Sequence, residues 1–175
     1  KSISKPIKKS FVNKKGQKVD YWLMKPINFQ SGNKYPLVVD IHGGPSAMWG
    51  TGEPSMWHEF QYMCAQGYGI VYSNPRGSGG YGTAFQQANY KDWGNGPAED
   101  VLTATTLAAK ESWVDTSKQV ITGGSYAGYL TAWIVGHDHR FKAAFSQRGV
   151  YDLTTFMGEG NAWRLTPQYF GLPWV

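Results

Sequence analysis

A single cysteine, Cys64, stands among 175 residues, which excludes an intrachain disulfide and a cysteine-rich metal centre. Histidines are as scarce, four in all, and they lack ligand spacing such as His-Glu-x-x-His, so no metal is expected. Charged residues make up only 17% of the chain. No apolar run approaches the ~20 residues of a membrane span. Lys1 opens no signal-peptide pattern. The expectation is a soluble chain, cytoplasmic or periplasmic, with no membrane partner.

What is present is apolar and rich in glycine. Hydrophobic residues make up 41%, with 8 Trp, 11 Tyr, 8 Phe and 22 Gly. The length suits one domain, and the apolar content is enough to offset chain entropy, which excludes disorder. The glycines cluster between apolar runs, where they mark loops that need unusual backbone angles or close backbone approach. The formal charge of +5 is local, because Lys1, Lys5, Lys8, Lys9, Lys14, Lys15, Lys18 and Lys25 face only Asp20 in the first 25 residues. A solvated hairpin with lysines on its outer face accounts for that stretch, so no nucleic-acid partner is expected.

Alternation over Ile7 to Val12 and Gln17 to Met24 around Asn13-Lys14-Lys15-Gly16 predicts an antiparallel hairpin. Leu37 to Ile41 and Gly69 to Ser73 are short β-branched runs that stop at glycine-proline loops, as buried strands do. Between them the spacing predicts a helix from Ser55 to Gln66, which places Cys64 in a packed stripe rather than at a reactive site. A short helical piece near Thr83 to Tyr90 follows, then a long helix with Pro97 as its first residue, ending near Ser112. Val120 to Thr122 is a strand, the segment carrying Tyr129, Leu130, Trp133 and Ile134 a helix, and Phe141 to Ser146 a last strand. Strands alternating with helices call for a mostly parallel sheet with helices on both faces.

The chemistry concentrates at Gly123-Gly124-Ser125-Tyr126-Ala127-Gly128, a strand-to-turn-to-helix passage. It matches Gly-x-Ser-x-Gly with Ala127 in place of the second glycine, a departure that weakens the turn slightly. Such a turn lifts a serine hydroxyl above the sheet edge as a nucleophile, while the helix start aims free N–H groups at it. A flexible loop or a serine helix cap is the plain alternative. Phosphate binding is excluded there, since neither Gly-x-x-x-x-Gly-Lys-Ser/Thr nor Gly-x-Gly-x-x-Gly occurs. After the first buried strand, His42-Gly43-Gly44-Pro45 reads as an oxyanion loop, with the N–H of Gly44 and that of Tyr126 as its two donors.

Together with Asn74-Pro75-Arg76-Gly77-Ser78-Gly79-Gly80-Tyr81-Gly82, Asp92-Trp93-Gly94 and Phe141-Lys142-Ala143-Ala144, these motifs resemble the prolyl oligopeptidase family of serine peptidases. The likeness is to its acylaminoacyl-peptidase and dipeptidyl-peptidase-like branch. The resemblance implies an α/β-hydrolase fold, incomplete at the C-terminus, a peptide substrate and an acyl-enzyme on Ser125 with no cofactor. It also implies that residues 1–175 are the N-terminal portion of the catalytic domain, residues 1–25 its leading hairpin, and that the family's propeller and the C-terminal part lie outside the chain. The triad Asp and His, which follow the serine in this fold, would then come from a C-terminal segment or a second chain, including an exchanged copy in a homo-oligomer. The chain by itself would be inactive, and its last strand would leave an apolar edge.

None of His42, His58, His137 and His139 is placed as the base, nor Asp152 as the triad acid. By resemblance the segment from Val150 to Phe156 lines the substrate pocket, with Tyr126, Val150, Leu153 and Phe156 making it apolar; core packing is the alternative. Arg76 and Arg148 are expected to brace loops through ion pairs, with Asp92, Glu99 or Asp100 as partners, or to anchor a substrate carboxylate. A carboxylesterase on the same scaffold and a non-catalytic fragment are the competing functions.

Overall fold

The computed structural model describes residues 2–172 and 174. Six strands form one sheet in the order β1-β2-β4-β3-β5-β6. They are β1 (Ile7–Val12), β2 (Lys18–Met24), β3 (Tyr35–Ile41), β4 (Gly69–Ser73), β5 (Val114–Gly124) and β6 (Phe141–Gln147). The first two strands run antiparallel to their neighbours and the remaining pairings are parallel. Helix α1 (Trp57–Ala65) connects β3 to β4. The short α2 (Thr83–Gln86) and the long α3 (Asn95–Ala108) lead into β5, and α4 (Tyr126–Val135) joins β5 to β6. Two small helices, α5 (Leu153–Glu159) and α6 (Leu165–Phe170), follow.

Period-two patterning divides the core between the two faces of the sheet. Tyr21, Leu23, Leu37, Val39, Ile41 and Val71 pack with the α3 and α4 residues Val101, Ala104, Leu130 and Ile134. Their chain neighbours Trp22, Met24, Val38, Ile70 and Tyr72 pack on the other face with Phe60 and Cys64 of α1. Tyr72 stacks between Trp22 and Phe60, with ring centres 5.2 and 4.7 Å away. Burial holds the Cys64 thiol near pKa 11, so it is core and not nucleophile.

Several boundaries differ from the sequence reading. Strand β5 begins at Val114, six residues before Val120, and reaches β3 across an irregular register between Tyr35 and Leu37. Helix α3 begins at Asn95, so Pro97 is its third residue, still within the first turn, where a missing N–H breaks no helical bond. The same helix ends at Ala108, before Ser112. On β6, Lys142 to Phe145 are exposed and Phe145 is 66% accessible. Among the described residues no strand pairs with its outer edge. Among them also, no helix is long and apolar enough to cross a membrane, and no group of His, Cys, Asp and Glu could hold a metal.

The loop after β4 is fixed by a buried ion pair. Arg76 donates from Nε to Asp100 Oδ2 (2.9 Å) and from Nη2 to Asp100 Oδ1 (2.7 Å), and its own N–H also reaches Oδ2 (2.8 Å). Both side chains are nearly inaccessible, and Glu99 adds a further contact at 3.0 Å. Asp92 instead accepts from Gly96 N at the start of α3 (2.8 Å). Three lysines of the leading hairpin reach acids, Lys8 on Asp20 (2.7 Å), Lys9 on Glu111 and Lys14 on Glu99. Asp100→Ala leaves a buried guanidinium without its partner and is expected to cost about 3–5 kcal/mol. Chemical denaturation followed by tryptophan fluorescence measures it; a loss below about 1 kcal/mol would mean that water solvates Arg76.

Candidate active site

Ser125 sits where β5 stops and α4 starts, with φ 61° and ψ −124°. Side chains other than glycine seldom occupy that region, at a cost of about 1–3 kcal/mol. The surroundings impose it. Ser125 N donates to Gln147 O at the end of β6 (3.1 Å), while Ser125 O accepts from Gly128 N and Tyr129 N (2.9 and 3.2 Å). A Cβ on Gly123 would lie 2.6 Å from Ala127 Cβ and 3.0 Å from Ile41 O, and one on Gly128 would lie 2.4 Å from Gln147 O. Ala127 is fully buried. Its methyl therefore does not loosen the corner, as its departure from the glycine pattern suggests. It fills the room that Gly123 leaves.

The Ser125 hydroxyl makes no capping bond to α4, and the residue is exposed to solvent. The helix-cap alternative is thereby removed. Tyr126 is the first residue of α4, so its N–H is one of those without an intrahelical acceptor. Its ring is buried, its phenol donates to Trp93 O (2.9 Å), and burial raises its pKa well above the usual tyrosine value. That hydroxyl is neutral and occupied.

Gly44 lies beside this corner. A Cβ on the preceding Gly43 would be 3.1 Å from Gly124 O and 3.5 Å from Ser125 Cβ, so the loop after β3 runs directly over the end of β5. Gly44 has φ 119°, and a Cβ there would strike Ser46 N at 2.4 Å. His42 is 1% accessible and holds this loop down, with Nδ1 2.7 Å from Gly43 O and Nε2 2.8 Å from Ser78 Oγ. Burial lowers its pKa and keeps it neutral. A carbonyl only accepts, so Nδ1 carries the proton, and the Ser78 hydroxyl proton is divided between Nε2 and Pro75 O (2.6 Å). Asn74 exchanges two bonds with the main chain of Trp49 (2.9 and 2.7 Å), and Gly79 N reaches Ser46 O (3.1 Å). The two glycine-rich loops are thus strapped to each other.

A cavity of about 240 Å³ opens at Ser125, walled by Gly44, Trp93, Tyr126, Arg148, Gly149, Val150, Phe156, Asn161, Ala162 and Leu165. It gathers Ser125, Gly44, Tyr126, Val150 and Phe156. Leu153 lies elsewhere, in a neighbouring hollow with Thr154, Thr166 and Phe170. As the first residue of α5, with its carbonyl accepting from Thr166 Oγ1 (3.3 Å), it turns towards α6. Nor is the cavity wholly apolar, since Arg148 and Asn161 enter its wall. No carboxylate of the described residues pairs with Arg148, so the expected ion-pair brace holds for Arg76 alone. Trp93 carried a signal in the Asp92-Trp93-Gly94 motif, whereas residues 161–165 enter only because the chain folds back after α5.

None of the four histidines lines this cavity. His137 stacks on Trp133 at 3.8 Å and bonds Trp133 O through Nδ1, and His58 is exposed on α1. Asp152 caps α5 by accepting from Thr155 N and Thr154 N, bonds that lower its pKa.

Residues 54–174 match the prolyl oligopeptidase family. The chain belongs to that family. Among its relatives, an uncharacterized peptidase, YuxL, of Bacillus subtilis (strain 168) is 42% identical over 158 residues, covering 90% of this chain and 24% of that protein. Dipeptidyl-peptidase 5 of Schizosaccharomyces pombe is 33% identical over 91% of this chain and 24% of its own length. Among solved structures, an acylaminoacyl peptidase in complex with Z-Gly-Gly-Phe-chloromethyl ketone superposes with a TM-score of 0.89 at 30% identity, over 98% of this chain and 27% of that one. Pyrococcus horikoshii acylaminoacyl peptidase gives 0.88 at 29%, with the same coverage. The chain spans about a quarter of the length of these proteins, and its sheet is part of the family's α/β-hydrolase fold.

Gly123→Ala drives a methyl into Ala127 and is expected to destabilise the domain by about 1–3 kcal/mol. Adding Ala127→Gly should recover part of that loss, because the closest clash disappears while those with the Ala127 and Ile41 carbonyls remain. A double-mutant cycle in denaturant reads the coupling; strict additivity would show that the two residues do not compete for one space.

Proposed function

We propose that the chain carries the nucleophile, oxyanion donors and acyl pocket of a serine peptidase that cleaves peptide bonds through an acyl-enzyme. The observation that carries this reading is the free, exposed hydroxyl of Ser125, held at φ 61° on the rim of a cavity that Gly44 and Tyr126 share. Ser125 Oγ attacks the carbonyl carbon as its proton passes to a histidine base. The amide hydrogens of Gly44 and Tyr126 receive the oxyanion, the amine leaves with that proton, and water repeats the sequence to release the acid. The base and its carboxylate are assigned to residues outside this chain, since the histidines within it are committed elsewhere or lie outside the cavity. The peptide ligand of the similar acylaminoacyl peptidase supports a peptide substrate.

His42 enters this mechanism as a positioning residue. The carbonyl it holds, Gly43 O, belongs to the same peptide unit as the N–H of Gly44, so the bond at 2.7 Å fixes the plane of that donor. Loss of one oxyanion donor costs roughly 10²–10³ in kcat.

In the full-length protein a fluorophosphonate probe is expected to label Ser125, and Ser125→Ala to abolish both labelling and hydrolysis of peptide anilides. Absence of labelling in active protein overturns the assignment, and hydrolysis of short-chain acyl esters without peptides would favour the esterase. His42→Ala should lower kcat for peptide anilides roughly 10²–10³-fold while KM changes far less. Its lowered pKa also sets a pH dependence. A loosened or unfolded state takes up a proton at the ordinary value of 6.5 and the folded site does so only at lower pH, so the stability that neutral His42 contributes is lost as pH falls below that value. Thermal denaturation from pH 8 to 5 should show this slope in the wild type and a shallower one in His42→Ala.

A further inference from the structure

We infer that Arg148 makes the Ser125 cavity selective for an acyl residue whose side chain ends in a carboxylate, glutamate above all. The inference rests on the peptidase reading of Ser125 and names its substrate class. Four arginines occur in the chain, and three have evident partners. Arg76 pairs with Asp100 and Glu99, Arg140 with Asp138, and Arg164 lies over the Trp163 ring. Among the described residues Arg148 has a side-chain bond only to the neutral Gln147 Oε1, at 3.2 Å. Its guanidinium nevertheless stands at the site. Its φ of 39° turns the chain off the line of β6, and its guanidinium lies against the nucleophile corner, 2.9 Å from where a Cβ on Gly124 would stand. Only a residue without a side chain at 124 leaves that room.

The remaining walls fit the stem of such a side chain. Trp93, Val150, Phe156 and Leu165 give the cavity of about 240 Å³ an apolar side, with Asn161 as a second polar group. Methylenes of a glutamate would pack along that side while its carboxylate meets the planar donors of Arg148, a match of shape and charge that an ammonium would not reproduce. Gln147 Oε1 already takes one Nη1 proton, which leaves the other donors of the fork for a ligand.

The test uses the full-length protein and internally quenched peptides that place Glu or Gln either immediately before or immediately after the cleaved bond. Expected is a Glu-over-Gln preference of about tenfold or more in kcat/KM at the position before the bond, expressed in KM. Arg148→Met should bring that ratio close to one or below, and Arg148→Lys should retain part of it. A ratio already near one in the wild type, a ratio unmoved by Arg148→Met, or a preference only at the position after the bond overturns the inference. So does an equal loss for Glu and Gln peptides, which would make Arg148 a support for the corner. Titration of the same peptides into a Ser125→Ala variant reads the preference without turnover. Failure of the wild type to cleave any peptide thus overturns the peptidase reading separately from the carboxylate preference.

Discussion

The ends of β3 and β5 approach each other closely, and the site depends on that approach. Ile41 pairs with Gly123 in the parallel register, and the Ile41 carbonyl stands 3.0 Å from where a Gly123 side chain would begin. At that point the chain, having passed from β3 to β4 on one side, reaches β5 on the other, so two loops leave adjacent strand ends in opposite directions and open a crevice. The absence of side chains at Gly43, Gly123 and Gly124 brings their backbones together without steric cost. An amide-lined site next to a serine follows from this closeness, whatever the distant helices do.

Successive layers of polar contacts hold the crevice open in one shape. Asn74 joins the two glycine-rich loops, Tyr81 bonds Asn74 (2.9 Å) and Asp20 (3.2 Å), and Asp20 pairs with Lys8. A second line runs from Lys14 through Glu99 to Arg76. Lys8 and Lys14 of the leading hairpin thus end on acids that connect to the loops around Ser125. Part of the positive charge concentrated at one end of the sequence is matched by acids that lie close in space.

Regular periodicity was the most legible feature. β4 coincides with its apolar run, and the hairpin strands differ by a single residue, because buried runs and turn residues locate themselves by local chemistry. The motifs at Ser125 and Gly44 were legible for the same reason, since a strained corner and a close approach each demand small residues in fixed order. Pro97 misled because a proline is tolerated throughout the first helical turn, not at one position of it. Leu153 and Phe156 could not be separated by pattern: both are apolar and three apart, and only the contact of Leu153 with α6 divides them. Asn161 and Leu165 were beyond reach, since their place in the cavity is set by how α6 docks through Tyr169 and Phe170 onto Trp93.

On the proposed reading both oxyanion donors are main-chain amides, and the Tyr126 phenol is unavailable because it is spent on Trp93 O. Among substitutions only proline deletes such a donor outright. Other changes reach these donors only by moving a peptide plane, and His42, Ser78 and Asn74 hold the loop that presents the Gly44 N–H. Specificity is arranged the other way. Besides Trp93 and Tyr126, the cavity walls come from Arg148, Gly149 and Val150 just beyond β6 and from residues 156–165 of α5, α6 and the segment between them. On the same reading, the reacting groups at the ends of β3 and β5 and the walls beyond β6 separate turnover from selection within one crevice.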